Sequence, residues 1–304
     1  MKTLNQSEEL ARLAALEEQL PREIRGQDHV IPSVLSMARR GQLGLTKLGR
    51  PRGSFLSLGP TGVGKTELIV VFTRALFGLE RLFRFDMSQF QTQDSLGLLL
   101  GARADEIGML GRVRRKAATG VLLFDEAEKA HPRILDILLQ LLDAARLTLA
   151  TGETLDFSGF YVWLTSNLGS AELLMLQHST EATLERHVLT RAEQSLRPEL
   201  FARIDEKLVF YRLDYDRQLE VAEKFLTHEI AFLFEQGHEL EVSEAVLPLL
   251  VRKGFHPKLG MRPMRHVVER LVGDAVACAL LNGSHGSGSL VVNEKAETLV
   301  VQPK

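Results

Sequence analysis

The sequence has few of the features that mark secreted, membrane-spanning or nucleic-acid-binding proteins. It contains one cysteine, Cys278, which cannot form an internal disulfide and favours a reducing, cytoplasmic setting. The opening MKTLNQSEEL lacks the apolar core of a signal peptide, and no apolar run reaches the roughly 20 residues that cross a bilayer. A formal net charge of -2 gives no general attraction to nucleic acid or to anionic membranes. The 9 histidines do not show metal-ligand spacing, so we expect no structural zinc.

Apolar strands alternate with helices over the first two thirds of the chain. The leucines of SEELARLAALEEQL predict a helix over 7–20 with Ser7 as its N-cap, and a second helix is expected over 29–40. The elements predicted after these are strands at 54–58, 82–85, 121–124, 161–165 and 207–210, and helices at 65–77 and 132–142. Continuous apolar strands separated by helices are typical of a parallel sheet covered on both faces, so we predict an α/β fold.

The pattern changes near Leu213. Long amphipathic helices are predicted at 214–236, 243–252 and 261–282, and short strands follow at 289–292 and 298–301. This indicates a second, smaller and mainly helical domain. We therefore divide the chain into domains at 1–212 and 213–304.

A glycine-rich stretch, GPTGVGKT at 59–66, lies between the first predicted strand of the sheet and a helix. Glycines let successive backbone N–H groups turn toward phosphate oxygens, and the following helix adds its positive N-terminal end. In the pattern G-x-x-x-x-G-K-[ST] the lysine reaches the β- and γ-phosphates and the hydroxyl binds Mg²⁺. The predicted nucleotide-binding residues of this loop are Pro60, Thr61, Gly62, Val63, Gly64, Lys65 and Thr66. The alternative is a surface loop without a ligand.

Two acids end the segment VLLFDE at 121–126. An apolar strand delivers Asp125 and Glu126 to its carboxyl end, where α/β sheets bind their ligands. Asp125 is predicted to hold Mg²⁺, directly or through water, and Glu126 to orient and activate the attacking water. A pair of helix-capping acids is the alternative interpretation.

Together with these two motifs, several further blocks make the chain resemble the AAA+ ATPases, specifically the second ATPase module of the Clp-type unfoldases and ClpB-type disaggregases. The blocks, in chain order, are IRGQDHVI at 24–31, GSFLSLGPTGVGKTEL at 53–68, FDMSQF at 85–90, VRRK at 113–116, LLFDEAEKAHP at 122–132, TSNLGS at 165–170, RPELFARIDE at 197–206 and GMRP at 260–263. The resemblance covers nearly the whole chain. It implies a P-loop NTPase sheet with helices on both faces, followed by a smaller lid domain, and an enzyme that hydrolyses ATP with Mg²⁺.

The resemblance also implies roles for single residues. Gly26 and Gln27 match the family's entry segment beside the adenine, and Asn167 matches its first sensor, although a turn asparagine would look the same. Arg203 falls at the position of the arginine finger, which acts on the neighbouring subunit's nucleotide, and the alternative is a surface ion pair with Asp205 or Glu206. Arg262 matches the second sensor, or else simply begins a helix. A finger that acts in trans implies assembly with itself, as a homohexamer or another ring or helical assembly.

The chain departs from the family in the loop that grips substrate. The stretch GARADEIGMLGRVRRK at 101–116 is shorter and has no aromatic residue, and Glu106 falls where the family has tyrosine. Ile107, Met109 and Leu110 are the apolar candidates for a grip. An acidic tip should be hydrated and should hold an apolar chain poorly.

Other family features are absent from this sequence. It starts directly at the ATPase module, and it contains none of the Ile-Gly-Phe or Leu-Gly-Phe tripeptides that dock a peptidase, so we expect no proteolytic partner. The basic run 112–116 has no interleaved aromatics, so a solvated or subunit-facing surface is favoured over nucleic-acid binding.

Two functions fit the sequence best, and a clamp-loader-like role on nucleic acid is a more distant third. The first is an ATP-hydrolysing ring protein that remodels or disassembles protein complexes, without strong processive threading. The second is a nucleotide-switched assembly factor that recruits a partner and hydrolyses ATP slowly. The protein substrate or adaptor is not specified by the sequence.

Overall fold

The computed structural model describes residues 2–103, 105–175 and 180–303. Contacts divide the chain into two compact units, Met1–Pro60 with Gly64–Tyr211, and Thr61–Val63 with Arg212–Lys304. In the part of the chain that is described, no helix is long and apolar enough to cross a membrane.

The first unit alternates helices and strands. Its helices are α1 (Lys2–Glu23), α2 (Ile31–Gln42), α3 (Lys65–Phe77), α4 (Leu96–Leu100), α5 (Met109–Lys116), α6 (Pro132–Ala144), α7 (Ser170–Met175), α8 (Glu181–Ser195) and α9 (Pro198–Arg203). Its strands are β1 (Gly53–Leu58), β2 (Leu82–Asp86), β3 (Gly120–Asp125), β4 (Arg146–Thr148), β5 (Thr154–Asp156), β6 (Phe160–Ser166) and β7 (Glu206–Val209).

Five of these strands form one sheet in the order β2-β3-β6-β1-β7. Every neighbouring pair is parallel, which confirms the predicted fold class. The strands β1, β3 and β6 are buried along their whole length, because most of their side chains are apolar on both faces of the sheet. The carboxyl ends of β1 and β3 lie on either side of the end of β6, so the residues that follow these three strands meet at one edge.

Aromatic residues fix α3 against this sheet. Phe55 of β1 stacks on Trp163 of β6 with ring centroids 4.0 Å apart, and Phe72 of α3 meets Trp163 edge-on at 5.2 Å. The Trp163 indole N–H donates to the Ser57 hydroxyl at 2.8 Å, so the one polar atom of this side chain is satisfied. Aromatic pairs of this kind contribute about 0.5–1.5 kcal/mol each beyond their buried area. This packing fixes α3 against β1 and β6.

Helix α1 packs on α3 and is longer than the sequence predicts. Leu16 and Leu20 are fully buried, whereas Leu10, which the spacing assigned to the same face, is 51% exposed. Because α1 begins at Lys2, Ser7 lies inside the helix and the prediction that it caps the helix is wrong.

The second unit is smaller and mainly helical, as predicted. It contains α10 (Tyr215–Glu235), α11 (Val246–Gly254), α12 (Met264–Leu281), β8 (Leu240–Val242), β9 (Gly288–Asn293) and β10 (Thr298–Gln302). The strands form a sheet in the order β10-β9-β8, with β9 antiparallel to β10 and parallel to β8. The helices and strands share one apolar core that includes Val246, Leu250, Met264, Val272 and Leu290. The strand β8 was not predicted. Cys278 is exposed on α12.

Candidate nucleotide-binding site

The glycine-rich loop connects β1 directly to α3. Gly59 and Gly64 have φ values of 135° and 107°, in the left-handed region that favours glycine. A Cβ at Gly59 would lie 2.4 Å from the Phe210 carbonyl oxygen, so only glycine fits there. A Cβ at Gly64 would meet nothing within 4 Å, so the space in front of the loop at this point is open. The loop therefore leaves room for a ligand at the N-terminus of α3.

Lys65 begins α3 and is 8% exposed. Its ammonium group donates to the carbonyl oxygens of Gly59 and, at 3.0 Å, Pro60. It also donates to the Asn167 side-chain oxygen at 3.0 Å. Thr66 is the next residue and is half-buried in the first turn of the helix. The lysine predicted to reach the phosphates is thus held between the phosphate loop and the end of β6.

The two predicted acids lie at the end of β3. Asp125 is 9% exposed; one of its carboxylate oxygens accepts from the Thr165 hydroxyl and the other from the Arg84 guanidinium. Glu126 adopts a left-handed conformation with φ 57° and ψ 50°, which turns its side chain out of the strand direction. Its backbone N–H donates to the Thr165 hydroxyl at 3.2 Å. Both acids are therefore tied to β6.

Asn167, just after β6, connects the lysine to the second acid. Its side-chain nitrogen donates to Glu126 Oε1 at 3.0 Å, while its side-chain oxygen accepts from Lys65. Its backbone N–H donates to Glu128 Oε1 at 3.1 Å. Lys129 donates to the other oxygen of Glu126, and this hydrogen bond, followed by the charge of Glu126, raises the pKa of Lys129. The structure brings Lys65, Asp125, Glu126 and Asn167 together at one edge of the sheet.

This donor set suits a nucleotide with magnesium. Lys65 and the N-terminus of α3 offer positive charge to phosphate oxygens. The Asp125 carboxylate and the Thr66 hydroxyl are hard oxygen ligands, which Mg²⁺ prefers, and Mg²⁺ takes its remaining ligands from water and substrate phosphates. Among the described residues, no group of three or more histidine, cysteine, aspartate and glutamate side chains could enclose a metal by itself.

Gly26 and Gln27 lie within the entry segment 24–31, and Gly26 has a φ of 72°. The Gln27 side chain is fully buried. Its amide forms hydrogen bonds with both backbone groups of Tyr211: the nitrogen donates to the carbonyl oxygen at 2.8 Å, and the oxygen accepts from the N–H at 3.1 Å. His29, two residues later, also contacts Tyr211: the two rings stack with their centroids 4.5 Å apart. The contact of Gln27 with nucleotide stays a prediction, and the described role of its side chain is to hold the end of the first unit.

The two predicted arginines have different surroundings. Arg203 ends α9 and forms an ion pair with Asp143 at 2.6 Å. The alternative partners named above are engaged elsewhere: Asp205 accepts from the Ser54 N–H at 2.9 Å, and Glu206 pairs with Arg40 at 2.8 Å. The alternative ion-pair partners of Arg203 were therefore wrong.

Arg262 belongs to the second unit, two residues before α12 begins, and is exposed. Its backbone N–H donates to the Leu259 carbonyl at 3.2 Å.

Sequence reasoning missed several side chains that contact the predicted residues, and those at this edge of the sheet include Arg84, Thr165, Glu128 and Lys129. Two of them lie within the quoted acid block and one, Thr165, within the sensor block, so the motifs marked the right segments. Their contacts depend on the order of the strands, which one sequence does not reveal.

A phosphate loop at the N-terminus of a helix, beside two acids that end a parallel strand, defines the class of P-loop nucleotide-binding proteins. Comparison of the sequence with known protein families identifies the family within this class. Residues 50–207 match the family model described as AAA domain (Cdc48 subfamily), and residues 213–292 match that of the C-terminal, D2-small domain, of ClpB protein. The chain therefore belongs to the AAA family of ATPases, in the arrangement of the second ClpB module.

Curated relatives agree with this. The chaperone protein ClpB of Rickettsia bellii is 38% identical over 97% of this chain and 35% of its own length. ClpB of Aquifex aeolicus is 37% identical over 98% of the chain and 31% of its own length. The mitochondrial ClpB4 of Arabidopsis thaliana is 37% identical over 94% of the chain and 31% of its own length. The chain thus spans about a third of the length of these relatives.

Proposed function

We propose that this chain binds ATP with Mg²⁺ at the described edge of the sheet and uses hydrolysis to remodel or disassemble protein complexes. The observation that carries the proposal is the hydrogen-bonded connection from Lys65 through Asn167 to Glu126. It joins the phosphate loop, the sensor position and the predicted base. Three relatives described above are named chaperones, which supports protein complexes as the substrate class.

In this function each residue has one task. Lys65 binds the terminal phosphates, and Asp125 with Thr66 holds Mg²⁺, which when bound neutralises charge on the phosphate oxygens. Glu126 accepts a proton from the attacking water. Asn167 orients that water or the γ-phosphate, because its amide already lies between the lysine and the base. The loop residues Pro60 to Gly64 supply backbone N–H groups to the phosphates.

We further propose that the active form is a ring, most simply a homohexamer, in which Arg203 reaches the nucleotide of a neighbouring subunit. Its guanidinium group is half-exposed, and its partner Asp143 is also accessible to solvent. Exposed ion pairs of this kind contribute about 0–1 kcal/mol, so breaking this one costs little. Arg262 would couple the nucleotide state to the second unit. The cytoplasm remains the proposed location, supported by the single free cysteine.

The loop at 101–108 favours remodelling without strong threading. The described part of this loop exposes Ala102, Arg103, Asp105 and Glu106. The Glu106 carboxylate accepts from the Ala102 N–H at 3.3 Å, so the residue at the tyrosine position folds back onto its own loop.

The apolar candidates for a grip are turned inward. Ile107 and Met109 are partly buried and pack on the core of the first unit, and Leu110 is fully buried. A chain in contact with this loop would meet charge and hydration rather than an apolar face, which gives little hold on an arbitrary polypeptide.

Loss of fluorescence from a tagged fluorescent protein, measured with ATP, tests this proposal. We expect the wild-type protein to hydrolyse ATP and to leave the fluorescence unchanged. Glu106→Tyr should raise unfolding if the loop contacts substrate, and Glu80→Tyr, the same change at an exposed residue outside the loop, should not. Robust ATP-dependent unfolding by the wild-type protein would overturn the absence of threading.

A second measurement separates remodelling from a nucleotide-switched assembly factor. Remodelling predicts an ATPase rate that rises when a protein substrate is added. A rate that stays low with every partner, together with nucleotide-dependent assembly, would favour the switch.

A further inference from the structure

Thr165 lies one residue before the end of β6 and is 1% exposed. Its hydroxyl donates to Asp125 Oδ1 and accepts the backbone N–H of Glu126 at 3.2 Å. A hydroxyl has one donor and two acceptor lone pairs, so this single group contacts both predicted catalytic acids at once. The function proposed above gives no role to this threonine.

The two acids need such a contact for different reasons. Glu126 has a positive φ, a conformation that costs a non-glycine residue roughly 1–2 kcal/mol and persists only where neighbouring groups hold it. The Thr165 hydroxyl accepts the N–H of this strained residue and so fixes its backbone. Asp125 must keep one carboxylate orientation in order to offer an oxygen to a metal. Thr165 donates to one of its carboxylate oxygens and Arg84 donates to the other, and together they fix the orientation of the carboxylate.

Strand order makes this contact possible. β3 pairs with β6 in parallel, with Phe124 opposite Leu164, so the next residues, Asp125 and Thr165, lie side by side at the carboxyl end of the sheet. Asn167 follows two residues later and bonds the Glu126 side chain. The backbone and the side chain of Glu126 are thus both set by the end of β6.

We propose that Thr165 is a positioning residue that sets the metal-binding orientation of Asp125 and the backbone conformation of Glu126. This inference rests on the proposed function of the same site. Residues that orient a metal ligand change metal affinity or activity by about 10- to 100-fold when they are removed. We expect an effect of this size from the loss of the hydroxyl alone.

The test compares Thr165→Val, which keeps the shape but removes the hydroxyl, with Thr165→Ser, which keeps the hydroxyl. Thr73→Val is the matched control, because Thr73 is also fully buried in the first unit but its hydroxyl donates to the Ile69 carbonyl of its own helix at 2.7 Å. Two quantities are measured for each variant. One is the ATPase rate as a function of Mg²⁺ concentration, and the other is the rise in melting temperature caused by ATP with Mg²⁺ over ATP with a chelator.

We expect Thr165→Val to lower kcat and raise the Mg²⁺ concentration at half-saturation by about 10-fold or more each. It should also lose most of the magnesium-dependent rise in melting temperature. Thr165→Ser and Thr73→Val should stay within about threefold of wild type. Wild-type kcat and Mg²⁺ dependence in Thr165→Val, or equal loss in Thr165→Ser, would overturn the proposal.

Fluorescence of Trp163 reports whether each variant folds. If Thr165→Val does not fold, Thr165→Ala is measured in its place with the same expectations.

If the wild-type protein does not hydrolyse ATP, the proposed function fails. The magnesium-dependent melting shift still decides the role of Thr165 in that case.

Discussion

Replacing Gln27 with alanine should destabilise the first unit strongly. The Gln27 amide is fully buried and forms two hydrogen bonds with the backbone of Tyr211, at 2.8 and 3.1 Å. Tyr211 is 6% exposed, so water does not readily replace the lost partners. Alanine would leave a buried N–H and a buried carbonyl unpaired.

The size of the effect follows from these two groups. Each buried backbone group that loses its partner costs about 1–3 kcal/mol, so we expect a loss of about 3 kcal/mol in the free energy of unfolding. For a unit of this size the melting temperature should fall by roughly 6–12 °C. Gln27→Glu should also destabilise, because a carboxylate still accepts from the Tyr211 N–H but offers no donor to its carbonyl.

Trp163 is the one tryptophan of the chain and is fully buried in β6, so its fluorescence during urea or thermal unfolding reports the first unit. Gln91→Ala is the matched control, since Gln91 is exposed and should change stability by less than about 0.5 kcal/mol. If Gln27 instead acts mainly on the nucleotide, the alanine variant will keep the stability of the nucleotide-free protein and lose only ATP affinity. That result would refute the reasoning.

Three further predictions concern charge at and near the site. Lys65→Ala should abolish the rise in melting temperature caused by ATP with Mg²⁺, because the phosphates lose their cationic partner. Arg203→Ala should keep ATP affinity within a few-fold and reduce hydrolysis by roughly 10³–10⁵. A mixture of Arg203→Ala and Lys65→Ala subunits should recover some activity, because the first keeps Lys65 and the second keeps Arg203. No recovery, although the subunits are proven to mix, would contradict action in trans. Hydrogen bonds from Ser88 lower the pKa of Asp86 below its ordinary value of 3.8, so its contribution to stability is present above that pH and is lost as the pH falls through the folded pKa. Trp163 fluorescence can follow the unfolding of wild type and Asp86→Asn at each pH. The difference in their free energies of unfolding should shrink as the pH falls from about 5 to about 3, and a constant difference would refute this.

The sequence predicted the strands of the main sheet to within about two residues, because β1, β3 and β6 are continuous apolar runs bounded by glycine or polar residues. It also predicted α3 from Lys65 to Phe77 as observed. The short strands β4 and β5 escaped prediction, since three residues with one buried side chain carry almost no periodic signal.

Helix α8 was missed although Thr180 caps it and Leu184, Val188 and Ala192 are spaced every four residues. That narrow apolar stripe lies within a mostly polar stretch, which weakens the pattern.

The predicted site depended on motifs that are local in sequence. Lys65, Asp125 and Glu126 could be assigned because a phosphate loop and an acid pair each occupy a few consecutive residues. The contacts of Thr165 with both acids, and those of Gln27 with Tyr211, join residues 39 to 184 positions apart. Such contacts follow from strand order and burial, which the periodicity of one chain does not contain.

The most direct test of the account measures ATP hydrolysis and ATP binding together in Glu126→Gln. The glutamine keeps the shape of the side chain and an oxygen that accepts from Asn167, but it cannot take a proton from water. We predict that this variant binds ATP with Mg²⁺ as the wild-type protein does and hydrolyses it at least about 100-fold more slowly, while the exposed control Glu80→Gln keeps the wild-type rate. Hydrolysis by Glu126→Gln at the wild-type rate would contradict the assignment of this edge of the sheet as the catalytic site.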